Sequence, residues 1–70
     1  MFRFRAINKM GAEYNHYVRS EYVYEIREEG VERVVKSSVT IVYPDMDSLE
    51  IESVENASVL VKRWQECHGQ

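Results

Sequence analysis

What this chain has little of narrows its class first. It carries one cysteine, Cys67, so no disulfide can form within it and stability has to come from packing. It has one proline and three glycines, and 44% hydrophobic residues stand against 30% charged ones, which excludes a low-complexity or disordered composition. No apolar run approaches the roughly 20 residues of a membrane span, and MFRFRAINK lacks the apolar segment of a secretory signal. These absences predict a soluble protein of a reducing compartment, the cytoplasm, with no membrane partner.

Chemistry-bearing patterns are scarce too. There is no Gly-rich phosphate loop, and only His16, Cys67 and His68 suit nucleophilic or metal chemistry. Cys67 and His68 are adjacent on a predicted helix, where neighbouring side chains diverge by about 100°, so they cannot form a base–nucleophile pair. DMDSLE has oxygens at the first and third positions of a calcium loop. Its fifth is Leu49 and its sixth is Glu50, where the sharp turn needs glycine. The expectation is therefore no catalytic residue, no metal, no cofactor and no enzyme.

What remains is patterned for a small α+β domain spanning residues 1–70. FRFRAI alternates with period two and predicts a first strand with Phe2, Phe4 and Ala6 on one face. NKMGA supplies a turn at Gly11. Residues 14–27, rich in β-branched and aromatic side chains, predict a second strand, and RVVKSSVTIVY a third, ended by Pro44. LEIE predicts a short fourth strand. From Val54, apolar residues at 54, 57, 60, 61, 64 and 67 form one helical stripe, with Ser53 as N-cap, Gly69 at the far end and Val59 opposite the stripe. The predicted architecture is β-β-β-β-α, a mainly antiparallel sheet with the helix across one face. Trp64, Leu60 and Val61 are expected to meet Tyr22, Tyr24, Val35, Val39 and Phe4.

Pleating sorts the stretch YNHYVRSEYVY. Its even positions, Tyr14, His16, Val18, Tyr22 and Tyr24, form the more apolar set and are expected to face the helix. Strand three offers Val31, Val35, Val39, Ile41 and Tyr43 at odd positions. A tight loop at Glu29-Gly30, with Gly30 at positive φ, would set Tyr24 opposite Val35 and Val18 opposite Ile41 inside. Outside it would set Arg27 opposite Glu32 and Tyr17 opposite Val42. A bulge near Ser20 is the variant that would flip the first half. The outer face then carries Tyr17, Arg19, Val23, Val34 and Val42 among charges, exposed to solvent or a partner.

Charge is unevenly distributed. Residues 1–20 hold Arg3, Arg5, Lys9 and Arg19 against Glu13. Residues 37–61 hold Asp45, Asp47, Glu50, Glu52 and Glu55 with no lysine or arginine. A one-signed acidic stretch beside a mixed sheet face suits steering toward a basic partner. The expected function is a protein–protein interaction module or small inhibitor that binds another protein or complex through those acidic and outer-face residues. In size and charge the chain resembles small inhibitors of nucleic-acid-handling machines encoded by phages and mobile elements. The alternative is single-stranded nucleic-acid binding through Arg3, Arg5, Tyr17 and Arg19, which the net charge of −3 and the inward tyrosines disfavour. Homodimerisation through the outer face or an open strand edge is a third reading.

Overall fold

The computed structural model describes residues 1–30, 33–45 and 47–68, so the expectations placed on Val31, Glu32 and Gly69 lie outside the described residues. It is an α+β arrangement of five antiparallel strands and one C-terminal helix, in place of the four strands expected. The strands are β1 (Phe2–Ile7), β2 (Glu13–Val18), β3 (Val23–Glu28), β4 (Ser37–Ile41) and β5 (Leu49–Ser53), followed by α1 (Ala57–His68). The additional strand arises because the predicted second strand is interrupted by a single 3₁₀ turn, Ser20–Tyr22.

Strand order is β2-β1-β5-β4-β3, so β2 and β3, joined by only Arg19–Tyr22, lie at opposite ends of the order. A flat sheet would hold its two outermost strands about 19 Å apart, four spacings of ~4.8 Å. Five extended residue steps reach only ~17 Å, and a 3₁₀ turn reaches less. The sheet must therefore curl until β2 and β3 become two halves of one bent strand, the first pairing with β1 and the second with β4. The N–H of Val42 donates to the C=O of Tyr22 (2.8 Å) and fixes that bend to the end of β4.

The core fills the concave side. Phe2, Phe4, Ala6, Val18, Val23, Val39, Ile41 and Ile51 from the strands enclose Leu60 of α1, and Phe4 and Leu60 are 0% exposed. The predicted helix stripe is the buried one: Ala57, Val61, Trp64 and Cys67 are half-buried beside Leu60, while Val59 is exposed. Trp64 packs on this cluster and its Nε1–H donates to the C=O of Ser20 (2.9 Å), tying the helix to the bend. Gly11 closes the β1–β2 hairpin at φ 84°, a left-handed conformation that favours glycine.

Details of the predicted register and of the helix start are corrected. β3 pairs with β4 as Ile26–Val39 and Arg27–Ser38, and the N–H of Glu29 reaches the C=O of Lys36 (3.0 Å), so the loop is longer than a tight turn at Glu29-Gly30. Gly30 does not take a positive φ. Tyr17 accordingly lies opposite Arg3 of β1, not Val42. The pairing slips between Val23 and Glu25, a β-bulge that turns Val23 inward, 5% exposed, and pushes Tyr24 out, 72% exposed. The expected inward Tyr24 and outward Val23 are thus exchanged, and the disruption sits four residues beyond Ser20. Finally, α1 begins at Ala57, with the C=O of Asn56 accepting from the N–H of Leu60 (3.1 Å), while Ser53 ends β5 instead of capping the helix.

The bulge makes a sharp contrast measurable by urea unfolding. Phe4→Ala should lose about 3–5 kcal/mol, whereas Tyr24→Ala should change stability by no more than about 0.5 kcal/mol.

Candidate functional site

Among the described residues no group of histidine, cysteine, aspartate or glutamate side chains is placed to hold a metal ion. No helix there is long and apolar enough to cross a membrane. The polar features of interest lie where β1 meets β5 and at the acidic end of the β4–β5 connection.

β1 and β5 share a single bridging pair, Ala6–Ser53. Beyond it, side chains take over the work of a neighbouring strand. The Arg5 N–H donates to Glu55 Oε2 (2.8 Å), and the Arg5 C=O accepts from the Val54 N–H (3.2 Å) and the Ser53 hydroxyl (2.7 Å). The Arg3 C=O accepts from Arg63 Nη1 (2.9 Å). Arg63 and Glu55 meet as a fork, Nη1 to Oε2 at 3.0 Å and Nη2 to Oε1 at 2.9 Å. Their side chains are only 31% and 24% exposed, which shelters the pair from solvent screening. The Arg63 hydrogen bond, helped by the Arg5 N–H and the nearby guanidinium charges, holds the Glu55 carboxyl below its usual range, against the opposing effect of burial. The same contact raises the Arg63 guanidinium. Glu55, expected at a partner surface, is therefore committed to the scaffold.

Three serines complete this seam. Ser37, Ser38 and Ser53 are 0% exposed, and each hydroxyl is used: Ser37 donates to the Glu55 C=O (2.7 Å), Ser53 to Arg5, and Ser38 to Glu50 Oε1 (2.8 Å). Glu50 Oε1 also accepts from Arg27 Nη2 (2.9 Å), so Glu50 is half scaffold and half surface.

The other acidic residues stay exposed. Pro44, Asp45, Asp47, Ser48 and Leu49 line an open hollow of about 690 Å³. A second, of about 320 Å³, opens where β1 turns away from β5, between Lys9, Tyr14 and His16 on one lip and Leu49–Glu52 on the other. Leu49 belongs to both and is 45% exposed. Leu49 lies opposite Ile41 and on the same face of β5 as Ile51, but it stays exposed where Ile51 is buried, because α1 packs mainly on β1, β3 and the bend.

The expected outer-face set does not form one patch. Tyr17 lies on β2 and is 57% exposed; Arg19 lies on the bend, loosely paired with Glu21 (3.8 Å); Val34 lies in the β3–β4 loop and Val42 just after β4. Val23 is in the core. The alternative basic set is partly assembled, because Arg3 stands directly opposite Tyr17 and Arg5 lies opposite Asn15. Arg5 is partly neutralised by Glu13 (3.4 Å). His16, on the lip of the second hollow, packs on Phe4 (5.2 Å between ring centres), and its buried Nε2 has no hydrogen-bond partner among the described residues. Burial lowers its pKa.

Compared with protein-family models, curated proteins and solved structures, the chain matches none.

Both titrating groups make the fold acid-sensitive, in separate windows. His16 is easier to protonate unfolded than folded, so stability should fall as pH drops below its ordinary 6.5. The Glu55 contribution is present above its ordinary 4.5 and is lost as pH falls through the lower folded value. Urea midpoints measured across pH should show both declines; His16→Phe should remove the upper one and Glu55→Gln the lower.

Proposed function

We propose that this chain is a non-enzymatic interaction module that binds a basic segment of another protein or complex through the acidic end of its sheet, blocking that segment as a small inhibitor does. The observation that carries this reading is Leu49: an aliphatic side chain, nearly half exposed and shared by two hollows, with Asp45 and Asp47 lining the first beside it and Glu50 and Glu52, on the other face of β5, at the margin of the second. An apolar anchor inside a rim of like charge suits a partner that places an aliphatic residue between lysines or arginines. The rim would speed encounter and select sign, and burial of Leu49 would supply affinity. Asp45, Asp47 and Glu52 have no ion pair in the fold among the described residues, so they can meet incoming cations without breaking it.

Single-stranded nucleic-acid binding is the second reading, favoured by the Arg3–Tyr17 juxtaposition. Glu13 beside Arg5 and Glu21 beside Arg19 weaken it, because they dilute the positive field a phosphate backbone needs.

Titration with an oligolysine peptide interrupted by leucine, followed through backbone amide resonances, separates the two. Binding should perturb Asp45, Asp47, Leu49 and Glu52 and weaken as salt rises. It should fall at least about tenfold in Asp45→Lys/Asp47→Lys, through like-charge contact. Peptide binding that ignores this double substitution contradicts the proposal. Oligothymidine binding abolished by Arg3→Ala/Tyr17→Ala would favour the second reading instead.

A further inference from the structure

Among the described residues the two open strand edges of the curled sheet, β2 and β3, are defended very differently. β3 has the bulge at Tyr24, which breaks the row of edge groups, and Glu25, Arg27 and Glu28 along its short length. β2, EYNHYV, is unbulged across its whole pairing with β1 and carries one carboxylate, Glu13. It has neither proline nor lysine to deter another strand.

Which backbone groups β2 presents follows from its pairing. The Asn8 N–H donates to the Ala12 C=O (3.0 Å), whereas the Arg5 C=O points the other way, to Val54. Even-numbered residues of β1 and β2 therefore exchange hydrogen bonds, and the N–H and C=O groups of Glu13, Asn15 and Tyr17 face outward from the sheet edge.

We infer that this edge seats a second copy of the chain, β2 against β2 antiparallel about a two-fold axis through Asn15. That register matches all three outward residues: Asn15 with Asn15 of the other copy, and Glu13 with Tyr17 in each direction. The Tyr17 hydroxyl donates to the facing Glu13 carboxylate, and Arg3, directly beside Tyr17 on β1, brings a guanidinium close to the same carboxylate. On the concave side the pairing sets Tyr14, 39% exposed, against His16 of the other copy, extending the existing Phe4–His16–Tyr14 row of rings. The edge is thus complementary to itself in hydrogen bonding, charge and ring contact, which identifies the occupant as a second copy. Pairing joins two five-stranded sheets along β2 and leaves Asp45 and Asp47 beyond the paired strands, although Tyr14 and His16, which also line one lip of the second hollow, take part in it. It does not depend on what those carboxylates bind.

Sedimentation equilibrium from micromolar to millimolar chain should show mass rising from 8.3 kDa toward twice that value. Asn15→Lys, which sets two like charges face to face on an exposed position, should abolish the rise while the circular-dichroism melt stays cooperative. In a Cys67→Ser background, mild oxidation should join Asn15→Cys chains to one another. Tyr17→Cys chains should stay unlinked, because their cysteines would lie some 13 Å apart, beyond disulfide reach. A single-chain mass throughout, or a dimer that links through position 17 and not 15, overturns the inference.

Discussion

The fork between Glu55 and Arg63 holds closed a sheet that its strands close only in part. Because Arg19–Tyr22 is too short to cross a flat sheet, the strands must curl, and curling brings β1 to β5 at a steep stagger where only Ala6 and Ser53 pair. The rest of that edge of β1 would be left with unpaired N–H and C=O groups beside the core, which is unfavourable for each group. Glu55 takes the Arg5 N–H, Arg63 takes the Arg3 C=O, and the two bind each other. One residue comes from the strand–helix link and the other from the second turn of α1. The pair therefore also fixes the helix, and with it Leu60 and Trp64, over Phe2 and Phe4.

That use of charge decides what the surface has left to offer. Of the five carboxylates between residues 45 and 55, Glu55 is spent on the seam and Glu50 is shared with Arg27 and Ser38. Asp45 and Asp47 remain beside the start of β5, and Glu52 further along it, each lining one of the two hollows that share Leu49. At the opposite end of the charge pattern, Arg5 and Arg19 have carboxylate neighbours and Arg3 faces a tyrosine. The asymmetry written along the chain survives folding mainly on its acidic side.

The parts of this structure legible in the sequence are those fixed locally. Period-two alternation over residues 2–7, the Gly11 turn, the short strand before the helix and the apolar stripe from Ala57 to Cys67 depend on neighbours within a few positions. The interruption of residues 14–27 could not be read this way. Arg19–Tyr22 has no breaker, and it bends because its two ends belong to different sides of a curled sheet. The bulge at Tyr24 likewise answers to register with Ile41 and Thr40, so parity counted from Tyr14 fails by one residue there and returns Val23 to the core. Of the candidate site, the acidic stretch was plain in the composition. The exposure of Leu49 was not, because it depends on where the helix stops. Glu55 lies in the strand–helix link and Arg63 in α1, eight residues apart, so neither one helix's neighbour spacing nor one strand's alternation announces their contact.

The seam is tested most directly by a double-mutant cycle on Glu55→Gln and Arg63→Met, each single and the double variant unfolded in urea at neutral pH. A strand-completing fork predicts that the two effects are coupled by more than about 1 kcal/mol, above the usual range for an exposed ion pair. Single variants that each lose no more than about 0.5 kcal/mol, with no coupling, would show instead that the sheet closes without them.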